Sequence, residues 1–402
     1  MSTSTRPFTI LCLASYHKGG EFLRECKRQQ CRVLLLTSLS VGTEVWPLES
    51  IDEIFLMPDD QKKWHLPDVI KCVSYLARTE TIDRIVPLDD FDLETAAALR
   101  EHLRVPGMGD TTTRYFRDKL AMRLQAQQAG INVPEFVPVL NYAQLRDYMK
   151  RVPAPWVLKP RAEASALGIQ KINTAEELWL ALDQLGDRQS FFVLERYVPG
   201  DIFHVDSIVL DRRVVFAVAS RYGQPPLDLV QGGGVFSTCT LQRGTDEEQA
   251  LQEMNRRVLA AMGLRRGVSH TEFIKGRDDG RCYFLETSAR VGGANIAELL
   301  EAATGINLWR EWAKLKVRQD YELPGPREDY AGLLVSLARD EWPDTSDYND
   351  PEIVWRLNQP AHVGLIVTSP SFERIEHLLG EYTARFAHDF LATMPEPDRP
   401  TS

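Results

Sequence analysis

Cysteine is scarce in this sequence. There are six among 402 residues, at Cys12, Cys26, Cys31, Cys72, Cys239 and Cys282, and no two of them stand in CxxC spacing. A disulfide framework and a zinc ribbon therefore have no basis, and the thiols are expected to be reduced and to pack as small apolar side chains. The eight histidines form no HxxH, HxH or HExxH pattern. No apolar run approaches the roughly 20 residues that span a bilayer, and the N-terminal MSTSTRP lacks the apolar stretch of a signal peptide. Positive charge is short as well. Lys and Arg number 47 against 57 Asp and Glu, a net charge of -10. The basic residues are scattered, which argues against a nucleic-acid partner. These absences predict a cytoplasmic protein that engages neither membrane nor nucleic acid.

Apolar residues make up 44% and charged residues 26%, ample for a buried core, and the length suggests two or three domains at about 150 residues each. The N-terminal part alternates strand and helix signals. Strands are predicted over Phe8–Ser15, Cys31–Ser38, Ile51–Pro58 and Asp83–Asp90, and helices near Gly20–Gln30, Pro67–Thr79 and Asp92–Leu103. Continuous apolar strands separated by helices imply a parallel sheet covered on both faces, hence a Rossmann-like lobe. A dinucleotide site is not expected there. SYHKGGEF after the first strand lacks GxGxxG spacing, and Thr37 and Ser38 stand where an acidic residue would hold a ribose.

The alternation pauses at Val105–Thr113, which marks a boundary, and a helix is predicted from Arg114 to Ala129, stopped by Gly130. Mixed strands and helices follow. After residue 320 the chain carries AGLLVSLA, HVGLIVTS and a helix near Phe372–Phe390, read as an αβ closing element over 321–402. Its tail, MPEPDRPTS, is expected to be disordered.

The most informative segment is a hairpin over Gly267–Arg290. Asp278-Asp279-Gly280 suits a three-residue loop with glycine in the left-handed position, and counting back from it sets Glu272 opposite Glu286. Facing carboxylates repel, and a divalent cation between them accounts for the pair most simply; a solvated hairpin face is the alternative. Alternation puts His270, Glu272, Phe284, Glu286 and Ser288 on one face, with Phe273, Tyr283 and Leu285 on the other. Arg290 follows in line, where a guanidinium would stabilise a transferring phosphoryl group; an ordinary surface arginine in a salt bridge is the commoner fate of an isolated arginine. Lys159 ends the apolar strand WVLK, and the short loop RAEASALG after it has the character of a weak phosphate flap. Lys119 opens a helix, where an anion is welcome. Taken singly, each lysine is better explained as a solvated surface residue. Glu195 ends the buried run FFVL, where a carboxylate can accept from an adenine amino group or serve a turn salt bridge.

In order, RDKLAMR, WVLKPRAEASALG, FVLERYVPG, the HTEF strand and YFLETSARVGGANI resemble the ATP-grasp superfamily, and within it the carboxylate–amine ligase-like branch, up to about Lys316. The resemblance implies an α/β fold, α+β in its ATP-grasp part. A Rossmann-like N-terminal lobe (1–113) is followed by a two-lobed ATP-grasp fold (114–320, the small lobe about 114–195 and the large lobe from about 196). It implies ATP and Mg2+ as cofactors, with Mn2+ as a substitute, and small-molecule carboxylate and amine substrates joined through an acyl phosphate. A homodimer is compatible with it.

Carried over position by position, Lys119 and Lys159 would contact ATP phosphates, with Ser165, Ala166, Leu167 and Gly168 closing over them. Glu195, Arg196, Tyr197 and Val198 would form the adenine hinge. Glu272 and Glu286 would bind the metal, and Arg290 would join Lys159 at the acyl-phosphate-forming centre. Two departures stand out. The family usually has asparagine where Ser288 would complete the metal ligands, and its acidic ribose residue is displaced, so His204 is the first choice for the ribose, Asp201 the second, with Asp206 behind His204. The Gly/Pro-rich Tyr222–Ser237 segment is expected to be mobile and to border the substrate pocket or act as a lid on it; a surface loop without function is the alternative. Two other readings remain: a biotin-carboxylase-like enzyme acting on bicarbonate, disfavoured by a flap poor in glycine, and a nucleotide-binding module without catalysis.

Overall fold

The computed structural model describes residues 6–164 and 167–392. Ser165 and Ala166 of the expected flap, and the tail from residue 393, lie outside the described residues.

The N-terminal strands Thr9–Ala14, Arg32–Ser38, Glu53–Met57 and Arg84–Pro87 form a parallel sheet. Its order is Glu53–Met57, Arg32–Ser38, Thr9–Ala14, Arg84–Pro87. Every residue of Thr9–Ala14 is buried, as a strand covered on both faces requires. The lobe is fastened to the rest of the molecule by an apolar core. Phe22 on the Gly20–Arg28 helix meets Trp312 on Leu308–Val317 with ring centroids 5.1 Å apart. Ile10, Cys12 and Val33 share a cluster with Ile208 and Val268.

The helix expected from Arg114 to Ala129 is two pieces. A 3-10 turn, Arg114–Phe116, ends before Asp118, and an α-helix begins anew at Lys119–Gln128. The cause is Asp118, whose carboxylate accepts from the backbone N–H groups of Leu120 and Ala121; an N-cap of this kind starts a helix wherever it stands. Lys119 thereby sits at a helix N-terminus.

A four-stranded antiparallel sheet follows, in the order Phe136–Pro138, Phe192–Arg196, Trp156–Pro160, Gln170–Ile172. Helices Tyr142–Arg151 and Ala175–Leu185 pack on it through Leu145, Tyr148, Leu178 and Leu182. The chain then enters an eight-stranded sheet at Gly200. A Cβ at Gly200 would lie 2.1 Å from the carbonyl oxygen of Lys275, so only glycine allows this close entry.

The larger sheet runs Cys282–Ser288, Gly267–Gly276, Gly200–Leu210, Arg213–Tyr222, Phe236–Thr240, Tyr330–Leu337, His362–Ser369, Ile353–Arg356. The C-terminal strands thus extend the sheet that carries the hairpin, because Phe236–Thr240 pairs directly with Tyr330–Leu337. The Phe372–Asp389 helix covers that end through Ile375, Leu378, Tyr382 and Phe386.

Candidate active site

In the hairpin Glu272 does face Glu286, as Thr271 faces Thr287 and His270 faces Ser288. The route differs from simple counting. The turn is closed by Gly276 N–H to Arg281 at 2.8 Å and by Gly280 N–H to Gly276 at 2.9 Å. Lys275 therefore faces Cys282, one place off the expected register, and the irregularity between Glu272 and Phe273 restores the pairing by leaving Leu285 unmatched. Such a bulge shifts side-chain parity. Phe284, expected beside the glutamates, instead faces Phe273 in the apolar core, their rings 6.2 Å apart. Tyr283 and Leu285, expected on the far face, pack with Val198 and Ile274.

The Lys119 ammonium lies 2.7 Å from Glu286 Oε2 and donates to the Glu163 carbonyl at 2.7 Å. The start of the flap is held by the same turn. Lys119 N–H donates to Arg161 O at 2.8 Å, Arg117 donates to Ala162 O, and the Arg161 guanidinium pairs with Asp118. Flap base, lysine and metal-ligand candidate are thus one connected unit. Beyond the base, Leu167 is buried and Gly168 takes a left-handed φ of 66°.

Lys159 Nζ is 2.9 Å from Glu195 Oε2, and Arg123 Nε is 2.8 Å from Glu195 Oε1. Glu195 is 1% exposed. Burial opposes its ionisation, but Arg123 and then Lys159 override burial and bring the carboxyl down to about 2. The expectation that this carboxylate accepts from an adenine amino group is corrected by these contacts, since both oxygens belong to cations. Arg123 also donates to the carbonyl of Leu285, the bulged hairpin residue, so one buried guanidinium ties the smaller sheet to the hairpin. Arg196 turns outward to Glu135 at 2.5 Å and to the Tyr283 hydroxyl at 3.1 Å. Tyr197 N–H donates to Pro155 O at 3.1 Å, and Val198 is buried.

Arg290 does not stand free. Its Nε is 2.7 Å from Asp90 Oδ2, and the Ser288 hydroxyl donates to the same carboxylate. Asp90 comes from the turn after the Arg84–Pro87 strand, in the N-terminal lobe. Burial works against its charge, yet Arg290 and Arg117 hold it well below the usual carboxylate range. Ser288, expected among the metal ligands, gives its proton to Asp90 and so serves the interface between the lobe and the hairpin.

His204 is also corrected. It is 0% exposed, with Nδ1 2.6 Å from Asp206 Oδ2 and Nε2 2.8 Å from the Thr238 hydroxyl. Both ring nitrogens are engaged inside the sheet, so it cannot reach a ribose. Asp201 is 64% exposed and lies 3.7 Å from Arg277; it pairs with Lys275, on the strand face opposite that of His204 and Glu272. The Tyr222–Ser237 segment, read as a mobile loop, contains a short helix, Pro226–Gly232.

Glu272 and Glu286 offer hard carboxylate oxygens from facing positions, a donor set that fits magnesium, which takes one or two carboxylates and completes its shell with water and phosphate oxygen. The fit is good for those two residues and poor for Ser288.

Residues 152–298 match the ATP-grasp domain family. That interval carries Lys159, the hinge, the hairpin glutamates and Arg290. The chain carries an ATP-grasp domain. Among curated relatives, the L-arginine-specific L-amino acid ligase of Bacillus subtilis is 25% identical over 265 residues, covering 64% of this chain and 63% of the relative. The match with a D-alanine–D-alanine ligase of Nitrosomonas europaea, 28% identical, covers 36% of it, so the chain spans less than two thirds of these relatives. Among solved structures, an L-amino acid ligase from Bacillus licheniformis superposes with a TM-score of 0.74 at 18% identity, over 96% of this chain and 99% of that one. A carboxyaminoimidazole ribonucleotide synthase from Aspergillus clavatus, solved with ATP, gives 0.73 at 15% identity, over 95% and 99%. At these identities the structural likeness establishes the two-lobed ATP-grasp fold behind a Rossmann-like lobe.

Counting strands in sequence could not find Asp90 or Arg123. Arg123 did leave a signal: in RDKLAMR it lies four residues after Lys119, on the same helix face. Asp90 left a weaker one, as an acidic residue just beyond the C-terminal end of a parallel strand, where ligand sites of α/β lobes gather.

Proposed function

We propose that this protein is an ATP-dependent ligase that joins a small-molecule carboxylate to an amine. The substrate carboxylate oxygen attacks the γ-phosphorus of ATP, and ADP departs. The amine nitrogen then attacks the carbonyl carbon of the acyl phosphate, loses a proton, and expels inorganic phosphate to leave an amide. The observation that carries this reading is the Lys119 ammonium, which touches both the flap base and Glu286.

Each residue has a distinct task. Lys119 and Lys159 neutralise phosphate oxygens; the segment from Leu167 to Gly168 covers them. The backbone from Glu195 to Val198 reads the adenine edge. Glu272 and Glu286 hold the magnesium, which when bound offsets charge on the phosphates. Arg290, fixed by Asp90, steadies charge at the transferring phosphoryl group. Catalysis is then chiefly positioning and charge neutralisation. The Tyr222–Ser237 segment closes the substrate side and keeps water from the acyl phosphate.

A phosphate-release screen over amino acids and small acids in pairs, with ATP and magnesium, tests this. Release of ADP and phosphate is expected only when a carboxylate and an amine are both present. Release that needs bicarbonate alone, or tight ATP binding with no turnover across the panel, contradicts it.

A further inference from the structure

Behind Glu272 lies a buried polar chain that the proposed reaction leaves unused. The Tyr222 hydroxyl donates to Glu272 Oε1 at 2.9 Å, and His270 Nε2 stands 3.5 Å from the same oxygen and 3.4 Å from the Tyr222 oxygen. His270 Nδ1 reaches Asp206 Oδ1 at 2.9 Å, and His204 Nδ1 reaches the other oxygen of Asp206 at 2.6 Å. His204 Nε2 continues to the Thr238 hydroxyl, which donates to Arg221 O at 3.1 Å.

The chain crosses four neighbouring strands in register. Asp206 is opposite His270, His204 is opposite Glu272 and Ser220, and Tyr222 is opposite Thr238. It is closed from the loop after Arg290. A Cβ at Gly292 would come 2.9 Å from Asp206 Oδ1 and 3.0 Å from His270 Nδ1.

A carboxylate with 0% exposure is costly to bury unless hydrogen bonds satisfy it. Apolar residues would fill this part of the sheet more cheaply, so the polar chain calls for a task. Both contacts to Glu272 fall on Oε1, at the end of the chain nearest Glu286.

Resting on the ligase reading above, we propose that Tyr222 and His270, the latter oriented by Asp206 and His204, are positioning residues that lock Glu272 by Oε1. The remaining oxygen is thereby presented toward Glu286 as a divalent-cation ligand. Tyr222 is also the last residue of its strand, where the substrate-side segment begins, and the next residue, Gly223, donates to Ser237 O at 2.8 Å. The two ends of that segment are thus joined beside the residue that holds the metal ligand.

The test is Mn2+ binding, followed by electron paramagnetic resonance, to the whole chain with a non-hydrolysable ATP analogue. Tyr222→Phe removes only the hydroxyl. It is expected to weaken Mn2+ about tenfold, the usual cost of losing a group that orients a metal ligand. Affinity for the analogue without metal should stay within about twofold. Asp206→Asn, which can no longer accept from both imidazoles, is expected to act in the same direction. Glu272→Gln is the reference and should weaken Mn2+ further than either. If wild type binds Mn2+ and Glu272→Gln does not, while Tyr222→Phe matches wild type, the positioning role is overturned and the metal assignment stands. If Glu272→Gln binds as well as wild type, both fall.

Discussion

Replacing Glu286 by alanine is expected to lower turnover with ATP, magnesium and both substrates by at least about 10²-fold, the scale on which a preorganised charge contact contributes to a transition state. Two contacts go at once. The facing position to Glu272 loses its carboxylate, and the Lys119 ammonium loses a partner 2.7 Å away. The fold should survive, because Glu286 is partly exposed and the apolar residues of its strand are untouched. Nucleotide affinity measured without metal should change little, which separates a lost metal ligand from a collapsed pocket. Glu286→Gln keeps the shape and removes the charge, and is expected to be nearly as inactive. Turnover within a few-fold of wild type in either variant contradicts the metal assignment.

The second large effect is on stability. Arg123→Ala is expected to destabilise the protein by about 3–5 kcal/mol, the usual cost of removing one partner of a buried ion pair. Arg123 and Glu195 are both buried, and the same guanidinium holds the Leu285 carbonyl. The loss therefore loosens the joint between the smaller sheet and the hairpin as well as leaving Glu195 with Lys159 alone.

The sign with pH follows from the carboxyl. Its folded value is about 2 against an ordinary 4.5, so its stabilising contribution is fully present above 4.5 and is lost as pH falls through about 2. Chemical denaturation at neutral pH should show the full gap between wild type and Arg123→Ala, and the gap should narrow on acidification. A gap that grows as pH falls contradicts the assignment. Arg123→Lys, which keeps charge but cannot make the forked contact, should recover only part of the loss.

How much of this is legible in the sequence differs from residue to residue, for physical reasons. The Rossmann-like lobe is readable because Thr9–Ala14 and Arg32–Ser38 are near-continuous apolar runs bounded by polar helices, which is what strands covered on both faces require. The pairing of Glu272 with Glu286 is readable from the turn residues, yet only because two deviations cancel: a turn one residue longer than expected and a bulge at Leu285. Nothing local announces that bulge, and so strict alternation puts Phe284 on the wrong face.

Glu195 looks like a free acceptor at a strand end because its partners come from elsewhere. Lys159 lies on the neighbouring strand, and Arg123 is 72 residues away. Asp90 is 200 residues from Arg290, a separation no periodicity bridges. His204 and Asp206 do share a face, as alternation predicts, but whether a strand face is open or covered depends on what packs over it. Here Thr238 and the Gly292 loop cover it. The pattern reports which side a residue faces; tertiary packing decides what it meets there.

The most direct test of the central claim follows an oxygen atom. A carboxylate substrate found in the phosphate-release screen is labelled with oxygen-18 in its carboxyl group and turned over with ATP, magnesium and the amine. An acyl phosphate formed at the γ-phosphoryl group transfers one carboxyl oxygen to the phosphate that the amine expels. Labelled inorganic phosphate together with ADP is therefore the predicted result. Unlabelled phosphate, or AMP and pyrophosphate in place of ADP and phosphate, would contradict it.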